Sequence, residues 1–117
     1  MTCAGSTKLE PGAQAFLDWL HARTDLVVSE GTPVTVGGLP ATSVDIKSAA
    51  GASACVGDWV RMWRSFGNDA AVSPSSMARV IVLDVGDKTV AIEEWGLHQD
   101  AWLPLAQRLV DTVEWTP

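Results

Sequence analysis

The apolar residues near the start of the chain recur at the spacing of a helix. One stripe, at positions i, i+3, i+4 and i+7, comprises Ala13, Phe16, Leu17 and Leu20. The pattern predicts a helix over about residues 12–23, and Pro11 and Gly12 suit its beginning. The small and polar residues 1–10 predict an extended tail before it.

After this helix the period changes to two, which predicts β-strands. The predicted strands are the segments 26–28, 32–36 and 41–48. Gly37-Gly38 forms a strong turn signal between the second and the third. In the third segment Val44 and Ile46 share one face and polar residues occupy the other, as in a sheet with one face on a core.

The middle of the chain carries weaker signals. Residues 49–58 have almost no large side chains and predict a loop that carries Cys55. Segment 59–66 is ambiguous, because its apolar residues have helical spacing but the segment is short enough to be a strand. The residues 67–77 predict another loop.

The clearest element is a β-hairpin in the second half. Segments 79–85 and 88–95 are rich in β-branched residues and flank Gly86-Asp87, a pair typical of a two-residue turn. A second helix is predicted over about residues 100–113, with Pro104 in its first turn. Its expected buried stripe consists of Trp102, Leu105, Ala106, Leu109 and Val113.

Together these elements predict a single α+β domain over residues 1–117. The order is a helix, several strands and a helix, without a βαβ repeat. We therefore expect an antiparallel sheet of about five strands, with the N-terminal and the C-terminal helix packed on it.

The charge of the chain disfavours two classes of partner. There are 14 acidic against 8 basic residues, a net charge of −6, which repels phosphate backbones and anionic lipid. No apolar run approaches the length of about 18 residues that a membrane span needs, so we expect no membrane insertion. The N-terminus lacks the apolar region of a signal peptide, which predicts a cytoplasmic chain if this is a complete gene product.

No residue pattern indicates a metal, a cofactor or a catalytic site. The candidate metal ligands Cys3, Cys55, His21 and His98 lack the close spacing of a structural zinc site. A triad of Cys55, His98 and Asp100 has no nucleophile elbow to support it. Glu93 and Glu94 are neighbours on a predicted strand and would point to opposite faces, so they cannot act together on a substrate.

Tryptophan is unusually frequent, with six residues and no tyrosine. These side chains can serve as core packing, as a protein contact or as a small-molecule groove, and the sequence leaves all three open. The segment around two of them combines indoles and guanidiniums, the commonest anchors of binding surfaces. Its candidate residues for an anionic or aromatic ligand, or for a partner protein, are Trp59, Arg61, Trp63 and Arg64.

Several segments resemble an uncharacterised extracytoplasmic domain of actinobacterial and related bacteria, over about residues 3–115. The resemblance is carried by residues 15–20, 26–30, 32–39, 44–46, 79–84 and 90–92. It implies a Mog1/PsbP-like α/β sandwich, found in secreted proteins, lipoproteins and the outer ends of membrane-anchored regulators, without known catalytic residues. It also implies an extracytoplasmic location.

The same resemblance implies a structural disulfide between Cys3 and Cys55, since both stand where such domains carry a cysteine. Closing a loop of about 50 residues would stabilise the fold by about 4 kcal/mol on the chain-entropy argument. Similar domains have further strands before the first cysteine, so this sheet is expected to lack its first strands and to expose an edge. We therefore expect a non-catalytic binding or sensor-type domain; the alternatives are a self-association domain that forms a homodimer through the sheet, and a small enzyme of unrecognised type.

Overall fold

A computed structural model describes residues 10–51, 60–65, 68–96 and 99–115. The elements in chain order are α1 (Ala13–Ala22), β1 (Leu26–Val28), β2 (Thr32–Val36), β3 (Leu39–Ser48), β4 (Val60–Ser65), β5 (Asn68–Val72), β6 (Met77–Val85), β7 (Lys88–Gly96) and α2 (Gln99–Val110). The prediction of an α+β fold with an antiparallel sheet of about five strands and a helix near each end is confirmed. No helix in the described ranges is long and apolar enough to cross a membrane.

The main sheet is built around β3 and β6, which pair antiparallel with each other. Strands β1 and β2 both pair with β3, β2 along its first half and β1 along its last residues. Both lie on the flank of β3 opposite β6, because Thr42 and Ile46 each pair with β6 as well as with one of these two strands. Strand β7 adds to the other side of β6 through the Gly86-Asp87 turn, so β7 is an edge of the described sheet.

One face of the sheet packs against α1 and against the separate β4–β5 hairpin. Register places Val44 opposite Val80 and Ile46 opposite Ala78, so the alternation of both strands delivers apolar side chains to the same face. The buried residues of this core are Leu17, Leu20, Leu26, Val44, Ile46, Met62, Ala70, Val72, Ala78, Val80 and Val82.

The opposite face packs against α2 and the segment after it. Its buried residues are Val36, Ala41, Ile81, Leu83 and Val110. Trp115 closes this core, and its indole N–H donates to the carbonyl oxygen of Val36 at 2.9 Å. Gly37 permits that contact, because its φ is +56° and a Cβ there would lie 2.6 Å from the indole nitrogen of Trp115.

Two predictions for the middle of the chain are resolved or corrected. The ambiguous segment contains strand β4. The predicted loop over 67–77 was wrong in part, because β5 occupies Asn68–Val72 and only residues 73–76 connect it to β6. A register shift between Arg61 and Trp63 explains the confusing spacing, since an extra residue in one strand breaks the period of two. Strand β5 begins with Asn-Asp, and both residue types are unfavourable in strands, so the sequence did not indicate the second strand of this hairpin.

The predicted buried stripe of α2 was also wrong in part. Leu105 is 60% exposed and Leu109 is 73% exposed, whereas Val110 is 5% exposed and packs on the sheet. The face turned to the sheet instead contains Leu103, Ala106, Val110 and, beyond the helix, Val113. Pro104 is the sixth residue of α2 and not in its first turn. Both stripes are apolar in sequence, so the packing of the helix against the sheet decides between them.

Candidate functional site

Three aromatic side chains form a continuous half-buried surface between α1 and the β4–β5 hairpin, here called the aromatic surface. It consists of Phe16 and Trp19 on α1 and Trp63 on β4. The rings of Phe16 and Trp63 meet edge to face with centroids 5.3 Å apart, and those of Phe16 and Trp19 are tilted at 5.9 Å. These are favourable geometries for aromatic pairs, so the three rings support one another.

Local structure explains how these rings come together. Positions 16, 19 and 23 lie on neighbouring turns of α1 or at its end, which aligns Phe16, Trp19 and Arg23 along one side of the helix. In β4 the register passes from Arg61 opposite Ala71 to Trp63 opposite Ala70, so Met62 is the additional residue. Met62 is 1% exposed in the core, and Trp63 contacts Phe16 beside it.

Arg23 stabilises one end of the aromatic surface. Its guanidinium lies 5.1 Å from the ring centroid of Trp19, within cation–π range. It donates to both carboxylate oxygens of Asp25, at 2.7 and 2.8 Å, and to the carbonyl oxygens of Arg61 and Met62, at 2.6 Å each. One side chain therefore ties the end of α1 to β4 and holds the backbone next to Trp63.

The carboxylate of Asp25 completes this arrangement. Its hydrogen bonds from Arg23 lower the pKa of Asp25 below its ordinary value, against the opposing effect of partial burial. Asp25 therefore stays ionised to more acidic pH than a free aspartate. The charge of Arg23 is balanced within the fold, so this end of the aromatic surface is close to neutral.

Glu93 lies on the same face of the sheet as the aromatic surface, because it stands opposite Val80, which belongs to the core on that face. Partial burial raises the pKa of Glu93 above its ordinary value, and the hydrogen-bonding interaction with the Trp63 side chain opposes that shift. Glu93 is exposed to solvent on β7.

The neighbouring acid, Glu94, belongs to the other face of the sheet. It stands opposite Arg79 in the β6–β7 ladder, and Arg79 in turn stands opposite Asp45 in the β3–β6 ladder. Arg79 donates to the two carboxylate oxygens of Asp45, at 2.8 and 3.2 Å. Glu93 and Glu94 thus serve different surfaces, as their adjacent strand positions predict.

The structure describes only part of the site predicted from sequence. Trp63 lies in the aromatic surface, and Arg61 is half-buried with its carbonyl oxygen bound by Arg23. Arg64 pairs with Asp69 in the β4–β5 ladder, but its side chain, like all of Trp59, lies outside the described residues. The ligand-binding assignment of these four residues stays a prediction.

Sequence reasoning missed the contributions of Phe16, Trp19 and Arg23 to the same surface. A signal for them was present, because positions 16, 19 and 23 have the spacing of one helix side. Nothing in the sequence indicates that this side faces Trp63, since that contact joins residues far apart in the chain.

The other candidate chemistry lies largely outside the described residues. This is so for Cys3, Cys55 and His98, and the side chain of Asp100 is also not described, so the disulfide and the triad are untested. Within the described ranges, no group of three His, Cys, Asp or Glu side chains is placed to hold a metal ion. His21 has both ring nitrogens 2.9 Å from backbone carbonyl oxygens, those of Leu17 and Ser29, which occupies the positions a metal would need.

Comparison with known proteins identifies no relative of this chain. The chain matches no protein-family model, no curated protein and no solved structure.

Proposed function

We propose that the chain is a non-catalytic binding or sensor-type domain whose ligand contacts the aromatic surface. The observation that carries this proposal is the contact chain from Trp63 through Phe16 to Trp19, which packs against the core beneath α1 and remains half-exposed at the surface. Tryptophan and arginine are the residues most often found as energetic anchors of binding surfaces. Large rigid rings provide contact area with little loss of side-chain entropy.

Preorganisation of this surface supports the proposal. Arg23 holds Trp19 by a cation–π contact and holds the β4 backbone at the register shift, through the carbonyl oxygens of Arg61 and Met62. Rings that are already fixed need little ordering when a ligand arrives, so more of the contact energy remains for affinity. A purely structural role would be served as well by rings inside the two apolar cores.

The resemblance to an extracytoplasmic domain belongs to the same proposal. A Mog1/PsbP-like sandwich of antiparallel strands flanked by helices agrees with the observed α+β arrangement. On this proposal the domain works outside the cytoplasm, and Cys3 and Cys55 form a disulfide that ties the N-terminal tail to the 49–58 segment. The aromatic surface would then receive a ligand or a partner in that compartment.

A fragment screen by NMR tests the proposed function. The indole N–H signals of Trp19 and Trp63, assigned with Trp→Phe variants, should shift in a saturable way with a subset of small aromatic or apolar fragments. Trp115, which hydrogen-bonds Val36 beneath the opposite face, is an internal control whose signal should stay in place. The proposal fails if no fragment moves the first two signals, or if Trp115 shifts together with them.

Self-association through the sheet is the second candidate. Strand β7 has nine residues and pairs only with β6 within the described chain, so its outer backbone groups can accept another strand. Antiparallel pairing of two β7 strands would give a homodimer with a continuous sheet. Sedimentation at high protein concentration tests it, and a strictly monomeric chain would exclude this candidate.

A further inference from the structure

We propose that two copies of this chain pair through β7 in one register, in which Lys88 of each copy binds Glu94 of the other. The proposal rests on the second candidate function, self-association through the sheet, and adds the residues that select the register. Pairing of identical antiparallel strands about a twofold axis is self-complementary, so one lysine and one glutamate form two ion pairs. The partner is a second copy of the chain.

The ladder between β6 and β7 identifies the backbone groups that a second copy can use. The two-residue turn makes Val85 and Lys88 a hydrogen-bonded pair, so Lys88 and every second residue after it direct their N–H and C=O groups towards β6. The same alternation holds in β3, where Ser29 binds the N–H and the C=O of Asp45 on the side away from β6. The outward groups of β7 therefore belong to residues 89, 91, 93 and 95.

The opposite edge of the sheet is less suited to accept a strand. There β1 has only three residues, and β2 carries Pro33, which lacks an N–H group. Strand β7 has nine residues without a proline, and within the described ranges it pairs only with β6. It is the longer and more regular of the two edges.

One register brings opposite charges together. With Ala91 of both copies at the twofold axis, Lys88 of each copy stands opposite Glu94 of the other, and both side chains lie on the α2 face of the sheet. This is a non-hydrogen-bonded pair, whose Cα atoms lie about 4.5 Å apart and whose side chains contact one another.

Neighbouring registers lack this pairing. Moving the axis by one residue towards the turn places Glu93 opposite Asp87 of the other copy, which are like charges. Moving it by one residue the other way places the carboxylate of Glu94 opposite Val90. The charges of β7 therefore favour the register centred on Ala91.

Glu94 has the unpartnered charge that a second copy can satisfy. It is 7% exposed, and no group in the described chain donates a hydrogen bond to its carboxylate oxygens. Lys88 is exposed and takes part in no ion pair between described residues. An ammonium group that arrives from the open edge of β7 supplies the partner that the carboxylate lacks within one copy.

Two exposed leucines support the same assembly. A twofold axis perpendicular to the sheet keeps the α2 helices of both copies on one face, where α2 packs over Val90 and Ile92 of β7. Leu105 and Leu109 of α2 are 60% and 73% exposed. Contact between the two helices would remove this apolar area from water.

Sedimentation of charge variants at physiological salt tests the ion pair. We expect the wild type to form a dimer, and Lys88→Glu to raise its dissociation constant by about ten-fold or more, because two attractive pairs become repulsive. The matched control Lys47→Glu changes an exposed lysine on β3, away from the β7 edge, and should have an effect below about three-fold because salt screens its charge.

NMR of a mixture of isotope-labelled and unlabelled chains tests the register. The α-protons of Val90 in one copy and Ile92 in the other should be in contact, since these residues form a non-hydrogen-bonded pair in the proposed dimer. A dimer that lacks this contact, or that responds equally to the two lysine variants, would overturn this inference and leave self-association itself standing. A chain that stays monomeric at high concentration would exclude both, whereas the aromatic surface would remain the proposed binding site.

Discussion

Glu94 stands directly opposite Arg79 in the β6–β7 ladder, yet no group in the described chain donates a hydrogen bond to either of its carboxylate oxygens. Arg79 donates instead to Asp45 on its other side, at 2.8 and 3.2 Å. Glu94 is only 7% exposed, so burial raises its pKa more strongly than the nearby positive charge of Arg79 lowers it. The carboxyl group of Glu94 is therefore buried without a hydrogen bond from the described chain, a costly state when the group is ionised.

Replacing this carboxylate should stabilise the protein at neutral pH. The folded-state pKa of Glu94 is raised, so the carboxyl's contribution to stability is complete below its unfolded pKa and is lost as the pH rises through the folded value. We expect Glu94→Gln to gain about 1 kcal/mol over the wild type near pH 7, and to gain less near pH 4. Urea unfolding at the two pH values measures the difference, with the exposed Glu30→Gln as control. A variant less stable than the wild type near pH 7 would mean that attraction to Arg79 outweighs burial.

The side chain of Arg23 should be irreplaceable by lysine. Lysine keeps the charge but cannot present a planar fork to Asp25 while also reaching the carbonyl oxygens of Arg61 and Met62. We expect Arg23→Lys to lower the free energy of unfolding by about 2 kcal/mol. This is the contribution of several charged hydrogen bonds, reduced by those that the lysine can still form. The exposed Arg108→Lys on α2 is the matched control and should change stability by less than about 0.5 kcal/mol. Equal effects of the two substitutions would show that the Arg23 contacts add nothing beyond charge.

Acid unfolding should depend on Asp25. Its folded-state pKa is lowered, so the stability it contributes is present above the unfolded pKa and is lost as the pH falls through the folded value. The variant Asp25→Asn should therefore be less stable than the wild type near neutral pH, and the gap should close on acidification. Thermal unfolding across this range measures the effect. A gap that stays constant down to the lowest pH would assign the loss to packing and not to the ionised pair.

The strands and helices of this fold follow closely from local patterns, but two assignments required tertiary information. The alternation in 41–48 and the Gly86-Asp87 hairpin predict β3, β6 and β7, because period and turn chemistry are local properties. The face of α2 that is buried depends on how the helix packs against the sheet. Strand β5 depends on pairing with β4 across a register shift. Neither relationship can be obtained from a short stretch of the sequence.

The candidate site was predictable only in its composition. Tryptophan and arginine next to each other around residue 63 indicate a binding surface, and Trp63 is part of the aromatic surface. The contact of Trp63 with Phe16 results from packing of the β4–β5 hairpin against α1. Such a long-range contact cannot be obtained from spacing along the chain.

The orientation of α2 gives a prediction from two adjacent residues. Val110 is 5% exposed in the core beneath the helix, whereas Leu109 is 73% exposed. Val110→Ala should cost about 1 to 2 kcal/mol of unfolding free energy, and Leu109→Ala less than about 0.5 kcal/mol, although leucine is the larger side chain. Urea unfolding of both variants provides the comparison. The reverse order would restore the stripe predicted from sequence, in which Leu109 is buried.

The contact between Gly37 and Trp115 can be separated from the backbone cost of a positive φ by comparing two neighbouring glycines. Gly37 and Gly38 have φ of +56° and +81°, but a Cβ at Gly37 would meet the Trp115 indole at 2.6 Å and one at Gly38 would meet nothing within 4 Å. Both alanine variants should lose about 1 kcal/mol for the strained backbone. Gly37→Ala should lose about 1 kcal/mol more, because the indole must give up its hydrogen bond to Val36. Only Gly37→Ala should move the Trp115 indole N–H signal by NMR, and equal losses with an unmoved signal would exclude the clash.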